Sequence, residues 1–171
     1  MLKMKRFLFL IFVVLGLLFL YSKIVINFTS SMPYGLYTKE QYKNLLISHG
    51  DYILFCLNES YTAIGLKQGY LEPGFTCNGS MPLLKKVIAL PFEMVVLTDS
   101  YISVSGVTIP AATSYFDSES RPLAVFPRGK YQKDCYWVMG DHNITHSWDS
   151  RYWGCISKNQ IITNVKPLLT W

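Results

Sequence analysis

The chain has 171 residues, 50% hydrophobic, 15% aromatic and only 16% charged, which excludes a disordered chain and allows one domain with a real core. The formal charge of +5 is concentrated at the start: Lys3, Lys5 and Arg6 precede the first apolar run, and after them 13 basic residues face 11 acidic ones. No basic patch remains of the kind nucleic-acid binding needs, so that class of partner is set aside.

Residues 7–21, FLFLIFVVLGLLFLY, are uncharged, and after Lys23 the apolar run resumes as IVI. A helix over residues 7–26 would rise about 30 Å, one hydrocarbon thickness, with Lys23 snorkelling to the interface. The three basic residues favour a cytoplasmic N-terminus over residues 1–6, with residues 27–171 as a domain on the outer face. A cleaved signal peptide is the competing reading, but INFTSS offers no small-x-small cleavage site. The expectation is an uncleaved, single-pass anchor.

Beyond it, short runs of Val, Ile, Leu, Tyr and Phe alternate with Gly, Pro, Asn and Asp. DYILFCL (51–57), LLKKVIAL (83–90), EMVVLTDSYISV (93–104) and CYWVMG (135–140) read as strands, and Ser105-Gly106 reads as a hairpin turn. TKEQYKNLL (38–46) is the one expected helical turn, with little other helix. The expected fold is mostly β: a single compact antiparallel domain tethered by one N-terminal transmembrane helix. Cys56, Cys77, Cys135 and Cys155 permit two disulfides in three connectivities, or four buried thiols, and none has the CxxC spacing of a zinc knuckle. Placement favours Cys56–Cys77, which flank strands ahead of the lysine pair, leaving Cys135–Cys155 to bracket the polar stretch that follows.

That stretch, GDHNITHSWDSRYWG (140–154), packs Asp141, Asp149, Arg151, two histidines and two serines behind an apolar strand. Its bland reading is a polar loop held by an Asp149–Arg151 ion pair. Lys85 and Lys86 pose a second question, because neighbours in a strand point to opposite faces. One can face solvent; the other faces the core, where a charge is costly. An edge strand with both lysines snorkelling is the alternative.

Ser31, in SSMPYG just past the anchor, needs a base to act as a nucleophile. His142 and His146 are candidates, whereas His146, Ser147 and Asp149 are too close in sequence to converge as a triad. A neutral lysine is the other solution. A free lysine is neutral about one time in a thousand at pH 7.5, and burial that lowers its pKa by about 2 units raises that a hundredfold at a cost of roughly 3 kcal/mol.

These pieces, in this order, resemble the type I signal peptidases, membrane-anchored serine/lysine endopeptidases, and among them the TraF branch that matures conjugative pilin. TSSMP is similar to the nucleophile box, with Ser31 at the serine, and SMPYGLY is similar to its TraF form. GDYILF (50–55) resembles the strand box and PLLKKVIALP (82–91) the lysine box, with Lys85 at the general base and Lys86 at a second basic position. GDHNITHSWDSRYWG resembles the last box. The resemblance implies that Ser147 hydrogen-bonds and orients the lysine amine, and that Asp149 and Arg151 form a supporting ion pair. It also implies that the Thr29 hydroxyl and the Ser31 backbone N–H line the oxyanion hole. The chain departs from the family's pattern where Pro91-Phe92-Glu93 replaces Pro-Gly-Asp, and where GDHN lengthens the spacing to Ser147 by one residue.

The resemblance further implies a serine endopeptidase, needing no metal or other cofactor, in the bacterial inner membrane with its domain in the periplasm. Its implied partners are the lipid bilayer and a membrane-inserted pilin precursor or other preprotein, and its product is linear or cyclic. Phe28, Met32, Tyr34 and Leu36 are expected either to dip into the bilayer interface or to pack in the core. Two alternatives stand beside this: a general signal peptidase that removes leader peptides from secreted proteins, and a non-enzymatic, membrane-tethered β module of a secretion apparatus.

Overall fold

In the computed structural model, residues 6, 9–12, 16, 23–40 and 46–171 are described. Eleven strands lie among them: β1 (Ile24–Asn27), β2 (Gly35–Lys39), β3 (Tyr52–Phe55), β4 (Pro73–Cys77), β5 (Leu83–Ala89), β6 (Val95–Leu97), β7 (Tyr101–Val104), β8 (Val107–Pro110), β9 (Gly129–Tyr131), β10 (Trp137–Met139) and β11 (Ile161–Thr170); β3, β5, β6, β7 and β10 fall on the expected runs. Six form one sheet in the order β1-β2-β11-β3-β5-β10, and four form a second in the order β8-β7-β6-β9; every pairing within them is antiparallel. The mostly antiparallel β domain is therefore what forms.

The position of β5 decides the chemistry. It lies between β3 and β10, not at an edge, so the two lysines cannot both lean over a rim. Alternation sends Lys85 inward at 4% exposure, on the face shared with Val87 and Ala89, while the Lys86 side chain stays 37% exposed. Ile53, fully buried, is the cross-strand neighbour of Lys85, and Tyr52 that of Lys86. A second cluster, with Ile88, Trp137 and Met139 against Val95, Leu97 and Ile102, joins the two sheets. The β7–β8 hairpin turns on Ser105 and Gly106, both at positive φ, as a two-residue hairpin requires.

Three expectations change. Ile24, Val25 and Ile26 were expected to end the anchor helix, but they form β1 along β2. Their β-branched side chains suit a strand, and pairing with β2 supplies the hydrogen bonds a last helical turn would have given. The domain thus begins at Ile24. The remainder of the expected anchor lies largely outside the described residues, among which no helix is long and apolar enough to cross a membrane; residues 9–12 are helical. Of the helical turn expected at 38–46, residues 38–39 belong to β2, and 41–45 lie outside the described residues.

A ten-residue helix, Glu59–Gln68, was not expected. Asn58 caps it by accepting from the Tyr61 N–H, and Gly69 closes it in the left-handed conformation, at φ 74°. Both punctuation marks are visible in the sequence. The periodic apolar face is missing, because its buried positions are Thr62 and Gly65, where the backbone approaches Leu71 and Trp148.

The disulfides are Cys56–Cys77 and Cys135–Cys155, the pairing that placement favoured. The second ties β10 to the far end of the polar stretch, where Tyr136 and Ile156 bridge. Each closes a loop of about 20 residues, which corresponds to about 3 kcal/mol in the chain-entropy account. Denaturant unfolding of the C135S/C155S variant should show a loss of that order, and addition of reductant should then cost it only the remaining bridge.

Candidate active site

The connection from β1 to β2 carries Ser31. Residues 28–34 there belong to no helix or strand, yet their backbone is held tightly. The carbonyl of Ser31 accepts from the N–H groups of Asp141 (2.9 Å) and His142 (3.2 Å), and that of Ser30 accepts from Asn143 N–H (3.1 Å). The polar stretch is thereby stitched to the turn that carries Ser31. Gly140 is required at this seam: a Cβ on it would lie 2.6 Å from Ser147 Oγ and 2.8 Å from the Ser31 carbonyl.

Lys85 reaches the same point from β5. Its Nζ lies 2.6 Å from Ser31 Oγ, and both residues are buried. Burial pushes the Lys85 amine down to about 8, with Asp149 pulling it back up and Arg151 adding to the depression. Roughly a quarter of Lys85 is then neutral at pH 7.5, against about one in a thousand for a free lysine. A neutral amine at this distance, shielded from water, is placed to take the hydroxyl proton. Among the described hydrogen bonds Ser31 Oγ accepts only from Lys85 and from no histidine ring, and His49 pairs with Glu93.

Behind the pair lies an ion pair of zero exposure. Arg151 donates from Nε to Asp149 Oδ1 (2.8 Å) and from Nη2 to Oδ2 (2.9 Å). Asp149 also accepts from its own helix end, the Arg151 N–H, and from Gly140 N–H. Nη1 donates to the Ala112 carbonyl, and Nη2 is shared also with the carbonyls of Ile144 and Ser147. Each buried charge is thus satisfied, the condition under which such a pair can exist. The pair fixes the path of residues 140–151, and that path fixes the Ser31 carbonyl.

Lys86, on the other face, contacts Asp141 Oδ1 at 2.8 Å, and the Tyr52 hydroxyl donates to Asp141 Oδ2. Burial, and then that bond, push the Tyr52 hydroxyl's pKa up. Asp141 is in this way oriented from two strands while its N–H holds Ser31.

The chain as a whole has counterparts among known proteins. The family model described as signal peptidase, peptidase S26, matches residues 2–171. The chain belongs to the signal peptidase family. Members of this family are serine peptidases. The chain is 35% identical over 155 residues to a plasmid transfer protein TraF of Escherichia coli, and 30% identical over 148 residues to a conjugal transfer protein TraF of Agrobacterium fabrum. Each alignment covers 85% of this chain and 82% of the relative. Among solved structures, a signal peptidase I of Enterococcus faecalis V583 aligns at 19% identity with a TM-score of 0.41, covering 71% of this chain and 97% of that one.

Against the signal peptidase pattern, the structure brings Ser31, Lys85, Asp149 and Arg151 together. Two expectations do not hold as stated. Ser147 is buried, but among the described residues its hydroxyl has no hydrogen-bond partner, Lys85 included; the residue sits instead in the lining of a cavity with Tyr70, Trp148 and Tyr152. The extra residue in GDHN lengthens the loop before it, and Gly140 Cα, not the lysine, packs on its side chain. Thr29 lies two residues before Ser31 as required, but its hydroxyl donates to Asn27 Oδ1 at 2.7 Å. Met32 is fully buried beside Tyr37 and Leu84, whereas Phe28 is exposed. Asn27 and Tyr52 were not singled out from the sequence, since a lone amide and a strand tyrosine carry no motif.

Two outcomes test these electrostatics. Because the folded Lys85 binds its proton less tightly than the unfolded one, wild-type stability should rise with pH from about 8 towards 10.5. Lys85→Met should therefore unfold about 3 kcal/mol later in urea at pH 7, and the gain should shrink across that interval. Asp149→Ala, which leaves Arg151 buried without its carboxylate, should cost about 3–5 kcal/mol in the same assay.

Proposed function

We propose that this chain is a membrane-bound serine endopeptidase that matures, and in one outcome cyclises, a pilin precursor at the outer face of the bacterial inner membrane. The observation that carries the chemistry is the buried Lys85 Nζ at 2.6 Å from Ser31 Oγ. In this reading neutral Lys85 removes the Ser31 proton, Ser31 Oγ attacks the scissile carbonyl, and the protonated lysine returns the proton to the leaving amine. Water, or the substrate's own amine, then resolves the acyl-enzyme. Asp149 and Arg151 hold the loop that positions Ser31. The Ser31 N–H and the Thr29 hydroxyl serve the oxyanion once Thr29 turns away from Asn27.

The names of the relatives, plasmid and conjugal transfer proteins, support conjugation as the setting. The apolar run at 7–21 supports a bilayer location, as does the rim beside the nucleophile. There Ile26 and Leu169 flank Leu36 across three strands, and Phe28 and Trp171 stand 74% and 65% exposed. A cleavage site emerging from a membrane segment would meet Ser31 at that rim.

Ser31→Ala and Lys85→Ala should each abolish processing of a membrane-inserted pilin precursor in conjugation-competent cells; processing that survives both would favour the non-enzymatic module. A secretory leader cleaved in preference to pilin would favour the general signal peptidase. The kcat/KM profile should fall on the acid side with a single limb near pH 8, while a limb near 6.5 would point to histidine. The mass of the product separates ring from open chain by one water.

A further inference from the structure

We infer that Asn27 is the positioning residue that shapes the nucleophile turn and holds the Thr29 hydroxyl, an assignment that rests on reading Ser31 as the nucleophile. Asn27 ends β1 opposite Gly35, and its side chain folds back over the chain that leaves it, at 5% exposure. Nδ2 lies 3.0 Å from the Thr29 carbonyl, 3.1 Å from that of Met32 and 3.0 Å from that of Pro33. Oδ1 accepts from the Thr29 N–H at 3.2 Å and from the Thr29 hydroxyl at 2.7 Å. The three carbonyls can only accept, so the amide nitrogen must face them, its two hydrogens shared among them.

With the loop's own contribution, every carbonyl from Thr29 to Pro33 is engaged. Ser30 and Ser31 are held by the N–H groups of residues 141–143, and Pro33 is held also by the Tyr37 hydroxyl at 2.6 Å. Asn27 is the one side chain, among the described hydrogen bonds, that bonds on both sides of Ser31, at Thr29 before it and at Met32 and Pro33 after it. A turn with no ladder of its own is therefore braced by this planar amide from one side and by residues 141–143 and the Tyr37 hydroxyl from the other, with Ser31 Oγ held at Lys85. Neither Asp nor Leu can replace it: a carboxylate presents acceptors to three acceptors, and Leu presents nothing.

The same amide also governs Thr29. A hydroxyl has one hydrogen, and that of Thr29 is given to Asn27, so the group offers no donor to an oxyanion until it rotates.

The test uses the full-length chain in detergent or vesicles, with pilin precursor as substrate and a serine-directed phosphonate as a substrate-independent probe. Asn27→Leu conserves volume without adding charge, and Asn27→Asp conserves shape and the acceptor. Both should process about 10²-fold more slowly at saturating substrate, with KM within about twofold, and in Asn27→Leu the acid limb should stay where Lys85 sets it. Phosphonate labelling of Ser31 should slow in parallel while near-ultraviolet circular dichroism stays native. Labelling and kcat within about threefold of wild type in either folded variant would overturn the assignment, as would a change confined to KM. Ser31→Ala is the control: loss of labelling and processing there keeps the Ser31 reading standing whatever Asn27 does, whereas retention in Ser31→Ala removes that reading itself.

Discussion

A lysine amine shut away from water is the constraint on which this molecule depends. A charged ammonium in an apolar strand destabilises the fold, and the same desolvation that makes it costly makes the neutral amine available near neutral pH. Stability and chemistry pull in opposite directions at Lys85. The fold accepts the cost because β5 is an interior strand, flanked by β3 and β10, whose pairing does not depend on the side chain it carries. An edge strand would have let the lysine escape to solvent and recover a normal pKa.

The rest of the site serves to bring a hydroxyl to that amine. Ser31 comes from the β1–β2 connection, 54 residues away in sequence, and the two meet because β11 and β3 set the spacing between their strands. Asp149 and Arg151 are more than a surface ion pair. At zero exposure, with the carbonyls of Ala112, Ile144 and Ser147 also accepting from the guanidinium, they act as an internal strut. Such a pair adds little net stability, but it allows only one course for residues 140–151, and the N–H groups at the start of that course hold the Ser31 backbone. The Cys135–Cys155 bridge closes the same unit from outside.

The two faces of β5 divide the work. Lys85 looks into the dry side, while Lys86, joined to Asp141 and through it to Tyr52, braces the wetter side. Asp141 therefore links the second lysine to the nucleophile's own carbonyl, and both lysines bear on Ser31, one through its hydroxyl and one through its backbone. Ile26, Phe28, Leu169 and Trp171, on or just past β1 and β11, are exposed apolar side chains.

Local pattern alone determined a good deal: the runs that form β3, β5, β6, β7 and β10, the two-residue hairpin, and the opposite orientation of adjacent lysines, because a period of two is a property of the strand itself; β1, β2, β4, β9 and β11 were not marked by it. The resemblance to the signal peptidases, rather than local pattern, singled out Ser31, Lys85, Asp149 and Arg151. Tertiary structure decided which lysine is buried, because that depends on which face of β5 the core occupies. It moved residues 24–26 from helix to strand, because β2 offered them a partner. It left the Ser147 hydroxyl without one and gave the Thr29 hydroxyl to Asn27, because a hydrogen bond depends on angstrom-scale placement that no spacing along the chain encodes.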